Sequence, residues 1–250
     1  MDASRTRVIV VNFAPEARGL TAAVADFFGR ETVELVCVGA TPRREAEAAL
    51  ARAASEGLQV RYLEGSVDEG VDRFAARLAE AAEIAEAAAV IVLPVSGSAE
   101  VDAHSRLTCV AIQRACGERP LPTTVVAIED PEASVEFSGL GVTTIFYPGF
   151  LRAALFAHAC VDLPVFNFIL GLLRGRFRVE TLTIPEHLRG RTFGDACMTL
   201  ERDAAGRPLT LVGVFADDPE ADGATAMRIN PGARFPLAKA ASLLALTERP

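Results

Sequence analysis

The chain has 250 residues, half of them hydrophobic and 23% charged, which is the composition of a globular protein with a substantial core. Its formal net charge is -8, which argues against nucleic acid as a main partner because phosphate binding needs a basic patch. The five cysteines form no Cys-x-x-Cys pair, so neither a disulfide framework nor a structural zinc site is expected. Free cysteines of this kind indicate a reducing, cytoplasmic compartment.

Strands and helices are predicted to alternate through the first 148 residues. Apolar runs predict six strands, at residues 8–11, 33–38, 58–63, 89–95, 123–128 and 143–147. Ala- and Glu-rich segments between them predict helices, the longest at residues 68–88. Because continuous β-branched runs suit strands buried on both faces, we expect an α/β fold with a doubly wound, mostly parallel Rossmann-like sheet.

The pattern changes after Pro148. Residues 149–174 form two apolar helical segments that break near Pro164 and are too apolar to be lone solvated helices. A second copy of the chain is the natural surface for them to pack against. Further short strands are expected at residues 177–184, 209–215, 225–229 and 242–246.

Several motifs, in order, carry a family resemblance. The Ala-rich segment at 83–93, the helix at 102–112, the turn Glu129-Asp130-Pro131-Glu132 and the segment from Gly141 to Pro148 are similar to stretches of the regulators of potassium conductance, or RCK family. Residues 179–195 resemble the opening of that family's small C-terminal domain. The match runs from the first strand to about residue 246. This family supplies the cytoplasmic modules of Trk/Ktr-type transporters and ligand-gated potassium channels.

The resemblance implies three parts and a regulatory, non-enzymatic role. The three parts are a Rossmann-like RCK N-terminal domain at 1–148, a crossover helix pair at 149–175 that exchanges between two subunits, and a small α+β C-terminal domain at 176–250. The implied partners are a second copy, as a homodimer or within an octameric ring, and the membrane subunit or pore domain of a potassium channel or transporter. The predicted dimer-interface residues are Phe150, Leu151, Leu155, Phe156, Val165, Phe168, Ile169 and Leu172.

In such proteins the Rossmann half binds a nucleotide, or in some channels a cation. The ligand gates the ring only if it binds one ring conformation better than the other. Here the turn after the first strand lacks the early glycines of the Gly-x-Gly-x-x-Gly fingerprint, and Glu16 places negative charge where a phosphate would lie. We therefore expect dinucleotide binding to be weakened, altered or lost, with NAD, ATP, ADP or AMP as candidate ligands.

The turns after the first four strands define the predicted nucleotide site. Arg43 and Arg44 follow the second strand where a ribose-binding acid would stand, and a Gly-Ser-Val-Asp turn follows the third. After the fourth strand, a small-residue loop offers hydroxyl groups, or forms an ordinary turn with Ser98 or Asp102 as helix cap. The predicted nucleotide-binding residues are Asn12, Phe13, Arg18, Thr41, Arg43, Gly65, Ser66, Asp68 and Ser96.

Calcium is the other candidate ligand, because it is bound by converging carboxylates. Glu129, Asp130 and Glu132 follow the fifth strand, at the edge where open α/β sheets bind ligands. A second acidic cluster lies in the smaller domain and comprises Asp217, Asp218, Glu220 and Asp222. Solvated acidic loops are the alternative reading of both clusters.

Two other functions stay open. A Rossmann-type nucleotide-dependent oxidoreductase would need the glycine fingerprint and a catalytic acid or base, and the chain offers neither clearly. A degenerate family member would keep the fold as a non-binding assembly scaffold. The missing glycines favour the scaffold over the oxidoreductase.

Overall fold

A computed structural model describes residues 5–28, 32–55, 57–95, 100–174, 176–203, 206–217 and 225–248. The chain divides into two compact units, Met1–Phe156 and Ala157–Pro250. Among the described residues, no helix has both the length and the apolar character needed to cross a membrane. The predicted division at 148 and 175 stays a prediction.

The first unit is built on a six-stranded parallel sheet in the order β3-β2-β1-β4-β5-β6. Its strands are β1 (Thr6–Val11), β2 (Val33–Gly39), β3 (Gln59–Glu64), β4 (Ala89–Val92), β5 (Thr123–Ala127) and β6 (Thr144–Phe146). Its helices are α1 (Arg18–Phe28), α2 (Arg43–Ser55), α3 (Val71–Glu80) and α4 (Val101–Cys116). The order reverses between β1 and β4, where open α/β sheets form a ligand crevice. The predicted Rossmann-like sheet is confirmed.

The hydrophobic core of this unit has two layers, one on each face of the sheet. Val24 of α1 and Leu50 of α2 pack on one face, while Phe74 of α3 and Cys109 of α4 pack on the other. Helices on both faces bury β1, β2 and β4, which explains why their sequences are continuous β-branched runs.

The predicted helix at 68–88 is wrong in its extent. Gly70 has a φ of 101° and separates a 3-10 turn at Val67–Glu69 from α3, which ends at Glu80. Glu83 adopts a left-handed backbone with a φ of 52°, and a second 3-10 turn follows at Ile84–Glu86. Ala and Glu content favours a helix throughout, but these two backbone breaks divide it.

The second unit contains an antiparallel sheet in the order β7-β10-β8-β9. Its strands are β7 (Phe177–Leu182), β8 (Leu209–Asp217), β9 (Thr225–Ile229) and β10 (Ala240–Glu248). The short helix α7 (Phe193–Thr199) contributes Phe193 and Ala196 to the core that covers one face of the sheet. The predicted small α+β domain is confirmed. Helix α5 (Pro148–Val161) spans the division between the units, and α6 (Leu163–Leu173) precedes β7.

Glu34 of β2 links three strands of the parallel sheet through ion pairs. Its carboxylate accepts hydrogen bonds from Arg7 Nε at 2.8 Å and from Arg61 Nε at 2.9 Å. Burial raises the pKa of Glu34, but the hydrogen bonds and charges of Arg7 and Arg61 outweigh it and hold the pKa below 4.5. Because the folded pKa is depressed, the pairs stabilise the fold above the unfolded pKa and lose this contribution as the pH falls through the folded value.

We therefore expect the free energy of unfolding of the wild type to fall more steeply between about pH 5 and pH 3 than that of Glu34→Gln. Urea denaturation across this range measures the slopes. Glu186→Gln is the matched control, since Glu186 pairs with Arg189 at the surface, where an ion pair contributes little. Equal slopes for Glu34→Gln and the wild type would contradict the assignment.

Candidate functional site

The turn after β1 is held by an asparagine at the point where the sheet order reverses. Asn12 has a left-handed backbone with a φ of 61°, a conformation that asparagine tolerates better than most residues. Its side-chain Nδ2 donates to the carbonyl oxygen of Leu93 at 3.0 Å and lies 3.4 Å from Thr108 Oγ1. Asn12 therefore ties the end of β1 to the end of β4 and to α4.

Phe13 lies in the core beneath the next turn. Its side chain is 1% exposed and meets the ring of Tyr62 edge to face, with 6.3 Å between the ring centroids. Its N–H donates to the carbonyl oxygen of Val38 at 2.9 Å. The predicted nucleotide-binding residue Phe13 thus acts on this edge by packing, because its ring does not face an open crevice.

The turns after β1 and β2 are in close contact at Gly39. A Cβ atom at this position would overlap the carbonyl oxygen of Phe13, so only glycine fits. The Tyr62 hydroxyl lies 2.8 Å from Gly39 O and 2.6 Å from Thr41 O. Burial is the main cause that raises the pKa of Tyr62 to about 12, so the hydroxyl remains a donor at neutral pH.

The entry into α1 differs from that of a dinucleotide-binding helix. A 3-10 turn at Pro15–Ala17 precedes α1, and its first residue, Pro15, has no N–H to offer a phosphate. Glu16 lies exposed in the same turn, and Arg18 at the start of α1 is also exposed. Phosphate binding at a helix start uses free N–H groups and positive charge, so this entry is poorly suited to a pyrophosphate.

The start of α2 already has an acidic side chain. The N–H of Arg43 donates to Glu64 Oε2 at 3.1 Å, which places that carboxylate at the positive end of the helix. The Arg43 guanidinium makes no ion pair within the described part of the chain. The assignment of Thr41 and Arg43 to a nucleotide site stays a prediction.

A polar corner joins the turn after β3 to α4. Ser66 Oγ donates to Asp68 Oδ2 at 2.9 Å, and Asp68 Oδ1 lies 2.6 Å from His104 Nε2. The hydrogen bond from Ser66 has the largest effect on the pKa of Asp68 and lowers it. Burial comes next and raises the pKa, and the hydrogen bond and charge of His104 lower it again, so that it lies below its ordinary value. The contact between His104 and Asp68 could not be predicted from the sequence, because the two residues are 36 positions apart in the chain. Ser96, also predicted here, lies outside the described residues.

The acidic turn after β5 is held through its backbone. Asp102, in the first turn of α4, accepts from the N–H groups of Glu129 and Asp130, each at 2.9 Å. Asp130 Oδ1 accepts in turn from the N–H of Glu132 at 2.9 Å. Asp102 thus clamps the turn to α4 and does not cap its own helix.

No group of three or more His, Cys, Asp or Glu side chains that could hold a metal ion occurs among the described residues. The calcium assignment to Glu129, Asp130 and Glu132 stays a prediction. In the second acidic cluster, Asp217 is the last residue of β8, and Asp218, Glu220 and Asp222 lie outside the described residues.

Removing the clamp is expected to destabilise the fold. Asp102→Ala leaves two N–H groups without their charged acceptor, so we expect a loss of about 2 kcal/mol in the free energy of unfolding. Asp102→Asn keeps one acceptor oxygen and should lose less. Urea denaturation measures both, with Asp72→Ala as control because Asp72 pairs only at the surface, with Arg114. A loss from Asp102→Ala no larger than that from Asp72→Ala would exclude the clamp.

The predicted dimer-interface residues lie on the surfaces of α5 and α6. Those exposed are Phe150, Leu151, Phe156, Val165 and Phe168, and those partly buried are Leu155, Ile169 and Leu172. Within the second unit, α6 packs on β7, with 5.4 Å between the ring centroids of Phe168 and Phe177. Exposed apolar side chains in such number are typical of interaction surfaces, and the dimer interface stays a prediction.

Comparison with known proteins shows the fold. The chain aligns with the human SLO3 gating ring at a TM-score of 0.61 and 12% identity, covering 97% of this chain and 44% of that one. The GsuK channel bound to NAD (TM-score 0.41, 14% identity, 96% and 36% covered) aligns too weakly to add to the argument. So does the TrkA-N domain of the Escherichia coli inner membrane protein ybaL (TM-score 0.42, 10% identity, 65% and 100% covered). No family model and no curated protein matches the sequence.

The chain therefore shares the fold of part of the human SLO3 gating ring, which confirms the predicted resemblance at the level of the fold. It spans 44% of the length of the SLO3 gating-ring chain.

Proposed function

We propose that this chain is a ligand-sensing regulatory domain that acts on the cytoplasmic side of a potassium channel or transporter. The observation that carries the proposal is the exposed apolar surface of α5 and α6, in a chain with the fold of a gating-ring subunit. Phe150 and Phe156 are 73% and 66% exposed, and leaving such large apolar side chains in contact with water is energetically unfavourable. A second copy that covers these side chains gives the paired unit from which a ring is built.

The ligand site in this proposal is the carboxyl edge around the turns after β1, β2 and β3. Asn12 and the corner of Ser66, Asp68 and His104 supply polar groups there, and Arg43 supplies a positive charge. A nucleotide suits this edge better through its base and ribose than through a pyrophosphate, because Pro15 and Glu16 replace phosphate-binding groups. Adenosine-type ligands are thus favoured over dinucleotides.

A non-binding scaffold is the second candidate. Phe13 and Tyr62 fill part of the space beneath the first two turns with core packing, and Glu64 already lies at the start of α2. Both features favour a chain that keeps the ring fold without its ligand. An oxidoreductase has no comparable support.

Thermal unfolding with NAD, NADH, ATP, ADP, AMP or calcium separates the two candidates. A ligand at a hundred times its dissociation constant stabilises the folded protein by about 2.7 kcal/mol, which gives a clear rise in Tm. We expect one adenosine-type ligand to raise the Tm of the wild type, and Arg43→Gln to reduce the rise, with Arg44→Gln as the matched control. No rise with any ligand would contradict the sensor and support the scaffold.

A further inference from the structure

Strand β3 forms one edge of the parallel sheet, and part of its backbone has no partner. The N–H of Gly65 donates to the carbonyl oxygen of Gly39, and bonding residues alternate along a parallel ladder. Arg61 and Leu63 therefore turn their backbone groups toward β2, and Val60 and Tyr62 turn theirs toward the free edge. Within the described residues, the outward N–H and C=O groups of Val60 and Tyr62 make no hydrogen bond.

A groove of about 480 Å³ runs beside this edge, between α2 and β3. Helix α2 lines the groove with residues of one of its faces, which follow one another at about one helical turn. These residues are Arg43, Glu47, Leu50, Ala51 and Ala54. Val60 and Tyr62 line the same groove from β3. Leu50, Ala51, Ala54 and Val60 give the lining an apolar part, and the volume lies in the range of ligand sites, so the groove can take small side chains.

A second copy of β3 is a poor occupant of this edge. The symmetric antiparallel registers that pair Val60 and Tyr62 place Arg61 opposite its own counterpart, or opposite Leu63 or Gln59, so a second copy offers Arg61 no acidic residue across the strands. Like charges directly opposite each other across two strands destabilise the pairing. The same position favours a partner strand with an acidic residue facing Arg61.

We propose that the β3 edge and its groove bind an extended acidic segment of another protein by strand addition. The backbone of that segment pairs with Val60 and Tyr62, as in other complexes in which a peptide extends a sheet. Because side chains alternate along a strand, the two residues paired with Val60 and Tyr62 point into the groove, and the residue between them lies beside Arg61. The recognised pattern is a small apolar residue, an acidic residue and a small apolar residue.

Charge on the described residues agrees with this pattern. The Arg61 side chain is 37% exposed, pairs with Glu34 through Nε and donates from Nη1 to the carbonyl oxygen of Ala81, so Nη2 is the group that can meet a second carboxylate. Arg43 lies in the groove without an ion-pair partner among the described residues, and it can meet an acidic residue further along the segment. Glu47 also lines the groove, so an acidic residue of the bound segment is disfavoured where it would lie beside Glu47.

The test uses the full chain and a fluorescent, terminally blocked peptide of the sequence Thr-Val-Glu-Val-Thr. We expect saturable binding in fluorescence anisotropy. We also expect at least about tenfold weaker binding of the peptide with Lys in place of Glu, which corresponds to one lost charge-assisted hydrogen bond. N-methylation of both valines should abolish binding, because it removes the backbone donors that pair with β3.

Variants of the chain locate the site. Val60→Pro removes an outward N–H and keeps the ladder to β2, so it should weaken the acidic peptide about three- to tenfold with little change in Tm. Arg43→Glu should weaken the acidic peptide and strengthen the Lys peptide, and Arg44→Glu, one residue outside the groove lining, is the matched control. Absence of saturable binding, equal binding of the two peptides, or a dimer of the chain that Val60→Pro dissociates would each overturn the proposal.

Discussion

Phe13→Ala is expected to lower the free energy of unfolding by about 3–5 kcal/mol, the range found when a buried phenylalanine is truncated. Phe13 is 1% exposed, and its ring lies against Tyr62, whose hydroxyl holds the backbone of Gly39 and Thr41. The cavity left by the ring would therefore loosen the turns after β1 and β2 together. Urea denaturation measures the loss.

Phe13→Leu is the matched control for this change. It keeps most of the apolar volume, so we expect a loss well below that of Phe13→Ala. If Phe13 faced an open crevice instead, both substitutions would leave stability nearly unchanged. A loss below about 1 kcal/mol for Phe13→Ala would contradict the burial of this ring, since exposed positions rarely exceed that value.

The double substitution Phe150→Glu and Phe156→Glu is expected to convert a dimer into a monomer. Both side chains lie exposed on α5, so the two introduced glutamates should change the stability of the isolated subunit little. In a dimer they would be buried at the apolar centre of the interface, and two such anchors together weaken association at least about 100-fold. Sedimentation equilibrium at micromolar concentration measures the mass of each species.

Val135→Glu is the control for the double variant. Val135 is 76% exposed on the 3-10 turn Pro131–Phe137, outside the predicted helix pair, so this variant should remain dimeric. A monomeric wild type, or equal association of the double variant and Val135→Glu, would contradict the assignment of α5 to a dimer interface.

The strands of the parallel sheet could be predicted because their cause is local. A strand buried on both faces needs a continuous apolar run, and Val8–Val11 and Val33–Val38 show one directly. The helix predicted at 68–88 was too long because the turns at Gly70 and Glu83 depend on backbone conformations that composition does not reveal.

The candidate site was harder to predict, because its contacts join residues far apart in the chain. Asp102 was read as a possible cap of its own helix, yet it accepts hydrogen bonds from backbone groups 27 and 28 residues away. Phe13 follows β1 as a ligand-binding residue would, and only the packing of Tyr62 from β3 shows that its ring is buried. Asn12 adopts a left-handed backbone in the turn after β1, which asparagine tolerates, and its role in a nucleotide site stays a prediction.

The central claim is that a ligand changes the arrangement of paired subunits, and distances between spin labels measure this most directly. A single label on Met198→Cys, in a chain with Cys160→Ser and Cys197→Ser, reports from the exposed surface of α7 and leaves the other cysteines buried. We expect the ligand that raises the Tm also to shift the distribution of distances between the two labels of a dimer. Identical distributions with and without saturating ligand would contradict this claim.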